Sequence, residues 1–424
     1  MQEIIDGRQA HIMVLGMGSF ASSAMRVLSE RGAKTWCYLT RDYGNYGPSL
    51  EGGTFHYKDY PNPCPLIRDL DIDLVIPMSI NWHEQEWKDE FLAMDVPVLS
   101  PVRDAMKLER DRFFGRELCE KYGIPVADAF VARNRLEALD YVDKNPKPYV
   151  IKNPLCAPGS PVHTIVTETV QDTRSWLEHV DYAEGVFLQE YMGRREAGHV
   201  AFVSNGTLYP MVTNQEYKRA FDGNMGPVAG APLGGLVEAD PDDKYGLVEQ
   251  CLTPLLPWFR EVDFHGPVQI TAVKRDGDWH MIEYNVRTGI TTGPALWRML
   301  ENPVETIINV GRNKPLNIGF VKGKEYAASL TLAGWGYPYI KIEGPFLTVR
   351  LNDKPTCDIW WNEVVPGKND GMLMSGHRVA DIVAVDSSLQ NAVDRCYENI
   401  SKIYCLSSYY RTDIGASLWP PGEE

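Results

Sequence analysis

The stretch Met281-Ile-Glu283-Tyr-Asn285-Val-Arg287 constrains this chain more than any other. Side chains alternate along an extended strand, so Glu283, Asn285 and Arg287 are expected on one face and Ile282, Tyr284 and Val286 on the other. Such a strand needs a core behind it and a polar cleft, or solvent, in front. Two oxygen donors on one face suit a hard cation such as Mg2+, and a guanidinium two residues on suits a phosphate oxygen. Taken alone, a solvated strand face carrying a Glu–Arg pair accounts for the same residues equally well.

The rest of the chain decides what surrounds that strand. At about 150 residues per domain, 424 residues correspond to roughly three domains. His11–Gly16 is an apolar run that ends in Gly16-Met17-Gly18-Ser19, and the spacing of Ala24, Met25, Val27 and Leu28 predicts a helix over 21–31. Further apolar runs at 73–77 and 96–99, with a helix over 84–94 between them, make residues 1–104 a doubly wound α/β domain. The Gly-x-Gly turn lacks the full dinucleotide fingerprint, which argues against NAD. A long charged helix over 105–122 follows. Strands at 149–152, 163–168 and 185–190 around a Gly-containing loop then suggest an α+β lid within 105–196. Short strands with a helix over 244–262 fill 197–324, and 325–424 reads as a small α+β domain with a helix over 389–403.

Composition removes several classes. Against 42 Lys+Arg stand 57 Asp+Glu, a formal charge of -15, which is the wrong sign for displacing counterions from nucleic acid. The 8 cysteines form no CxxC pair and no metal-like spacing with the histidines, as expected of reduced thiols. Neither a signal peptide nor an apolar run near the roughly 20 residues of a membrane helix is visible. The expectation is a cytoplasmic monomer or homodimer acting on small molecules, without nucleic-acid or membrane partners.

Several motifs at matching spacing give this chain a family likeness. They are Leu108-Glu109-Arg110-Asp111-Arg112-Phe113-Phe114, Val150-Ile151-Lys152 with Gly159 after it, Gln189-Glu190-Tyr191-Met192-Gly193-Arg194-Arg195-Glu196, Thr213-Asn214-Gln215-Glu216-Tyr217-Lys218-Arg219 with Asp222, and the Glu283-x-Asn285 pair. Together they resemble the ATP-grasp fold. With Gly336-Tyr337-Pro338, Ser375-Gly376-His377-Arg378 and Tyr410-Arg411-Thr412-Asp413 near the C-terminus, the likeness is to the glycinamide ribonucleotide synthetase (phosphoribosylamine–glycine ligase) family over nearly the whole length. The resemblance implies ATP and Mg2+ or Mn2+ as cofactors and formation of an amide through an acyl phosphate, with amino-acid and amine substrates. It assigns Arg112, Lys152 and Gly159 to the phosphates, Glu190, Tyr191 and Met192 to adenine, and Glu196 to ribose. Glu283 and Asn285 would hold the metal, and Arg287 and Lys218 would act in catalysis.

The departures fall in the substrate segments. Gly16, Gly18 and Ser19 stand where the family has a polar Gly-Asn-Gly-Gly-Arg-Glu-His signature, and Asn81 and Glu84 replace its Gly-Pro-Glu segment. These residues, with Glu216 and Asp222, are the substrate candidates. The loop from Arg41 to Gly47 is another candidate for covering an amine, although turn chemistry alone explains its Asp, Asn and Gly. His83 near Glu84 could act as a general base, although a lone His beside Trp82 is more often a packed, hydrogen-bonded residue. Gln269 stands where many ATP-grasp proteins carry a further acidic ligand. Three readings follow: the family's own reaction, the same chemistry with another amino acid and amine, or ATP binding without turnover.

Overall fold

The computed structural model describes residues 3–155, 164–180, 182–194, 196–340, 347–368 and 371–416. At the N-terminus, β1 (His11–Gly16), α1 (Gly18–Glu30), β2 (Lys34–Leu39), β3 (Gly53–His56) and β4 (Leu74–Pro77) build a parallel sheet in the order β3-β2-β1-β4. Ile12 and Val14 pack into one apolar cluster while Met13 and Leu15 pack into another, so β1 is covered on both faces, as parallel strands require. The strand expected at 96–99 is reduced to a single bridge between Val75 and Val98, next to Pro97, which has no N–H to donate.

The helix expected over 105–122 is broken. A short 3₁₀ turn leads into α2 (Lys107–Arg110), and α3 (Arg112–Tyr122) starts afresh after Asp111, whose backbone is extended. The Asp111 carboxylate accepts from the N–H groups of Phe113 and Phe114 and so caps α3, and Gly123, at a φ of 70°, closes its far end. The helix expected over 244–262 is likewise cut into short pieces around Pro254 and Pro257.

The lid is an antiparallel sheet of β5 (Ala129–Ala132), β6 (Tyr149–Lys152), β7 (Thr164–Val166) and β8 (Val186–Glu190), ordered β5-β8-β6-β7 over its own core of Tyr149, Ile151 and Leu188. Gly159 lies outside the described residues.

The central sheet uses β9 (Glu196–Ser204), β10 (Thr207–Glu216), β13 (Gly234–Ala239), β14 (Gly266–Arg275) and β15 (Asp278–Asn285), with the hairpin β11 (Arg219–Phe221) and β12 (Met225–Val228) standing off it. The later segment contributes β16 (Tyr326–Gly334), β17 (Leu347–Leu351), β18 (Asp358–Trp361), β19 (Val364–Pro366), β20 (Met372–Met374), β21 (Arg378–Asp386) and β22 (Ile403–Cys405). Strands β16, β21 and β18 extend the central sheet, giving the order β15-β14-β9-β10-β13-β16-β21-β18, while β19-β20-β17-β22 form a small sheet of their own. Along β9, Val200 and Phe202 enter one apolar cluster and Ala201 and Val203 the other. Burial on both faces anchors this strand, at about 25 cal/mol per Å² of apolar surface removed from water. Among the described residues, no helix is long and apolar enough to cross a membrane.

Candidate functional site

A cleft of about 580 Å³ lies between the lid, the β14–β15 end of the central sheet and the N-terminal unit. Arg112, Lys152, Glu190, Tyr191, Met192 and Glu196 all line it. So do Glu216, Lys218, Glu283, Asn285, Arg287 and Asn81. Residues far apart in sequence thus meet in one cavity.

The β15 face carries one correction. The β14–β15 ladder slips between Thr271 and Ala272: Thr271 pairs with Glu283, whereas Ala272 pairs with Met281. Ile282 is the extra residue of this bulge, so the alternation resets there. Met281, Tyr284 and Val286 enter the core behind the sheet, while Ile282 lines the cleft with Glu283 and Asn285. Ile282 was expected to face away from them. Gln269 pairs in register with Asn285 but is not part of the cleft wall.

Glu283 sits among cations. Lys218 Nζ lies 3.4 Å from one of its carboxylate oxygens and Arg112 Nη1 lies 3.4 Å from the other. Burial alone would raise its pKa, but Lys218, Lys152 and Arg112 outweigh that and hold the carboxyl well below the usual range. Lys218 shows the converse: burial would lower its pKa, yet Glu196, Glu283 and Glu216 raise it. Its Nζ donates to Glu196 at 2.7 Å. Lys152 is only 3% exposed and donates to Gln189 Oε1 at 2.8 Å. Burial and the nearby Arg112 push its pKa down to about 8. Arg112 is aimed by the Asp111 cap, and its Nε donates to the Asn153 carbonyl at 3.2 Å.

The strand end that carries Glu283 and Asn285 is braced from behind. Arg287 Nη2 donates to Asn285 Oδ1 at 3.1 Å, and Arg287 Nε donates to Glu109 Oε1 at 3.2 Å. The other Glu109 oxygen accepts from Val286 N–H at 2.6 Å. No sequence motif assigns this role to Glu109. An acidic residue that the structure buries to 8% exposure in the turn before a helix cap has no periodic signature to announce it. Two oxygen donors from ionised Glu283 and neutral Asn285 are the chemistry a hard divalent cation takes.

At the lid edge, Glu190 pairs with Lys147 at 2.5 Å and Arg275 at 3.2 Å, and Tyr191 N–H donates to the Pro148 carbonyl. Glu216 accepts from Thr291 Oγ1 at 2.7 Å. The structure does not bring Gly16, Gly18, Ser19, Glu84 or Asp222 to the cleft wall. A Cβ on Gly16 would press on Met78, and Gly18 has a φ of 60° with the Asn362 side chain against it, so both glycines serve close packing. Ser19 bonds to Asn362 and Asp381, Glu84 pairs with Arg110 at 2.9 Å, and Asp222 binds Thr412. His83 stacks edge-on with Trp82 at 5.4 Å and does not line the cleft. Arg219, Tyr337 and Tyr339 do line it, although no sequence motif assigns them a role.

The chain is similar to known proteins of one family. Residues 110–291 match the phosphoribosylglycinamide synthetase ATP-grasp (A) domain and residues 327–417 match the C domain of the same family. A phosphoribosylamine–glycine ligase of Fusobacterium nucleatum is 23% identical over 365 residues, 82% of this chain and 85% of the relative. Its Thermotoga maritima counterpart is 25% identical over 430 residues, covering 96% and 99%. The crystal structure of phosphoribosylamine–glycine ligase from Thermotoga maritima superposes with a TM-score of 0.76 at 22% identity, covering 95% of this chain and all of that one.

Proposed function

The chain belongs to the ATP-grasp family and is similar to the phosphoribosylglycinamide synthetases, and from that premise we propose that it is an ADP-forming carboxylate–amine ligase whose reaction runs in the Glu283 cleft. The observation that carries the assignment is the Glu283 carboxylate with Lys218 and Arg112 on its two oxygens and Lys152 in the same cavity.

In this reading ATP lies with its adenine along Glu190, Tyr191 and Met192, its ribose at Glu196 and its phosphates over Arg112 and Lys152. Glu283 and Asn285 would hold Mg2+ or Mn2+, and such an ion would supply neutralisation of phosphate charge. The lysines and arginines fix the triphosphate so that a substrate carboxylate attacks the γ-phosphorus and ADP departs; positioning and charge neutralisation supply most of such catalysis. The product is an acyl phosphate. An amine then attacks its carbonyl carbon, Arg287 and Lys218 stabilise the tetrahedral anion, and phosphate leaves. The lid strands β6 and β8 keep water from the mixed anhydride, which would otherwise hydrolyse.

Glycine and phosphoribosylamine are the substrates that the relatives' names suggest. The retained nucleotide half of the cleft supports the same chemistry. The bonding of Ser19 to Asn362 and Asp381 favours a second reading, in which the amine differs. Phosphate release measured over a panel of amino acids and amines tests both. Turnover confined to glycine with phosphoribosylamine supports the relatives' reaction, turnover confined to other pairs supports the second reading, and ATP binding without turnover on any pair removes the ligase assignment.

A further inference from the structure

A strand, a glycine turn and a helix normally leave a berth for a phosphate at the helix N-terminus. In this chain the berth at α1 is filled from within. Gly18 N–H donates to the Gly44 carbonyl at 2.6 Å, Ser19 N–H to Asn362 Oδ1 at 3.1 Å, and Ser19 Oγ to Asp381 Oδ2 at 2.5 Å. Asp381 is 1% exposed. The protein's own anion therefore already stands at the helix start, and a phosphate brought there would meet a buried like charge.

What the N-terminal unit gives the cleft is Arg41, Ser79, Ile80 and Asn81. None of these belongs to the residues assigned to ATP above, which leaves them available to the other substrates. Arg41 also differs from the other cations of the wall. Arg112, Arg194, Lys218, Arg219 and Arg287 each lie within salt-bridge distance of a carboxylate. Lys152 is held by Gln189. Arg41 meets only the Tyr43 hydroxyl, at 3.3 Å, among the described residues, and the adjacent Asp42 is taken up by Lys58 at 2.7 Å.

We propose that Arg41, with the Ser79 hydroxyl and the Asn81 amide, binds a carboxylate on the amine substrate, so that the amine is itself an amino acid or a similar amino carboxylate. This rests on the ligase reading. One guanidinium matches one carboxylate by two parallel N–H···O bonds, whereas a phosphomonoester, near two negative charges at neutral pH, would be left half neutralised. In the coupling step the amine nitrogen bonds to the acyl carbon and the carbon–oxygen bond to phosphate breaks. Its electron pair leaves with phosphate, which also takes the proton lost by nitrogen.

The test uses the full chain with ATP and Mg2+ in two arms. In the first, hydroxylamine traps any acyl phosphate formed from each of the common amino acids as a hydroxamate, independently of the natural amine. In the second, the amino acid that gives hydroxamate is paired with amino acids, with their amides, and with phosphoribosylamine made in place from ribose 5-phosphate and ammonia. The expected result is coupling with an amino carboxylate, a preference for the acid over its amide of tenfold or more in kcat/KM, collapse of that preference in Arg41→Ala, and retention of most of it in Arg41→Lys. Hydroxamate formation with phosphoribosylamine as the preferred partner, or an acid preference that survives in Arg41→Ala, overturns the proposal and leaves the ligase reading standing. No hydroxamate from any amino acid sinks both.

Discussion

Glu109 holds Arg287 at 3.2 Å through Nε, and through its second oxygen it holds the backbone N–H of Val286 at 2.6 Å. A residue of the short helix α2 thereby fixes the far end of the strand that carries Glu283 and Asn285. In the proposed reaction this brace would hold the guanidinium where the anion of the second half-reaction forms.

Glu109→Gln keeps the shape and removes the charge. Charge-assisted hydrogen bonds contribute about 1.5–3 kcal/mol, so the amine-dependent step is expected to slow about tenfold or more, with hydroxamate formation from the activated carboxylate slowed less. Single-turnover rates of the two steps check this. Equal loss in both steps would show that Glu109 serves the whole cleft rather than Arg287.

Asp111→Ala removes the cap of α3. The expected cost is about 1 kcal/mol of stability, read as a fall in the urea midpoint, together with a raised KM for ATP, because Arg112 occupies the first turn of that helix. A variant with the stability loss and an unchanged KM for ATP would detach Arg112 from the triphosphate.

Asp381 accepts from Ser19, Asn362, Thr331 and Arg378, all buried. Asp381→Asn leaves the Arg378 charge without its partner, and breaking a buried pair costs about 3–5 kcal/mol. A large drop in melting temperature is expected, and a drop no greater than that of a surface Asp→Asn control would contradict the network.

His199 makes stability depend on pH. It is fully buried, Nε2 accepts from Met211 N–H at 3.2 Å, and Nδ1 therefore carries the proton it donates to Thr213 Oγ1 at 2.8 Å. Burial lowers its pKa to about 3 from an ordinary value of 6.5. Between those two pH values the unfolded chain binds the proton and the folded chain does not, so this contribution is present above pH 6.5 and is lost as pH falls toward 3. Urea midpoints measured from pH 7 to pH 4 are expected to fall less steeply for His199→Asn than for the wild type; parallel slopes would contradict the assignment.

Much of this was legible in the sequence because it rests on local rules. The alternation around Glu283 and the apolar strand ending at Lys152 are such local patterns, and the family resemblance joins the two residues in one site. Three features were not legible. The slip between Thr271 and Ala272 turns Ile282 into the cleft, and a bulge has no composition of its own. The break at Asp111 requires choosing a cap over continued helical periodicity. The sealing of α1 depends on Asn362 and Asp381, more than 340 residues from Ser19, and no local pattern carries such a contact.

Glu283 and Lys152 are the residues on which the proposed ATP turnover depends most. The most direct test of that dependence is the rate of ADP formation by Glu283→Ala and Lys152→Ala with the substrates that support wild-type turnover. Loss of ADP formation is expected in both, with folding checked by circular dichroism. Rates near the wild type in both folded variants would contradict it.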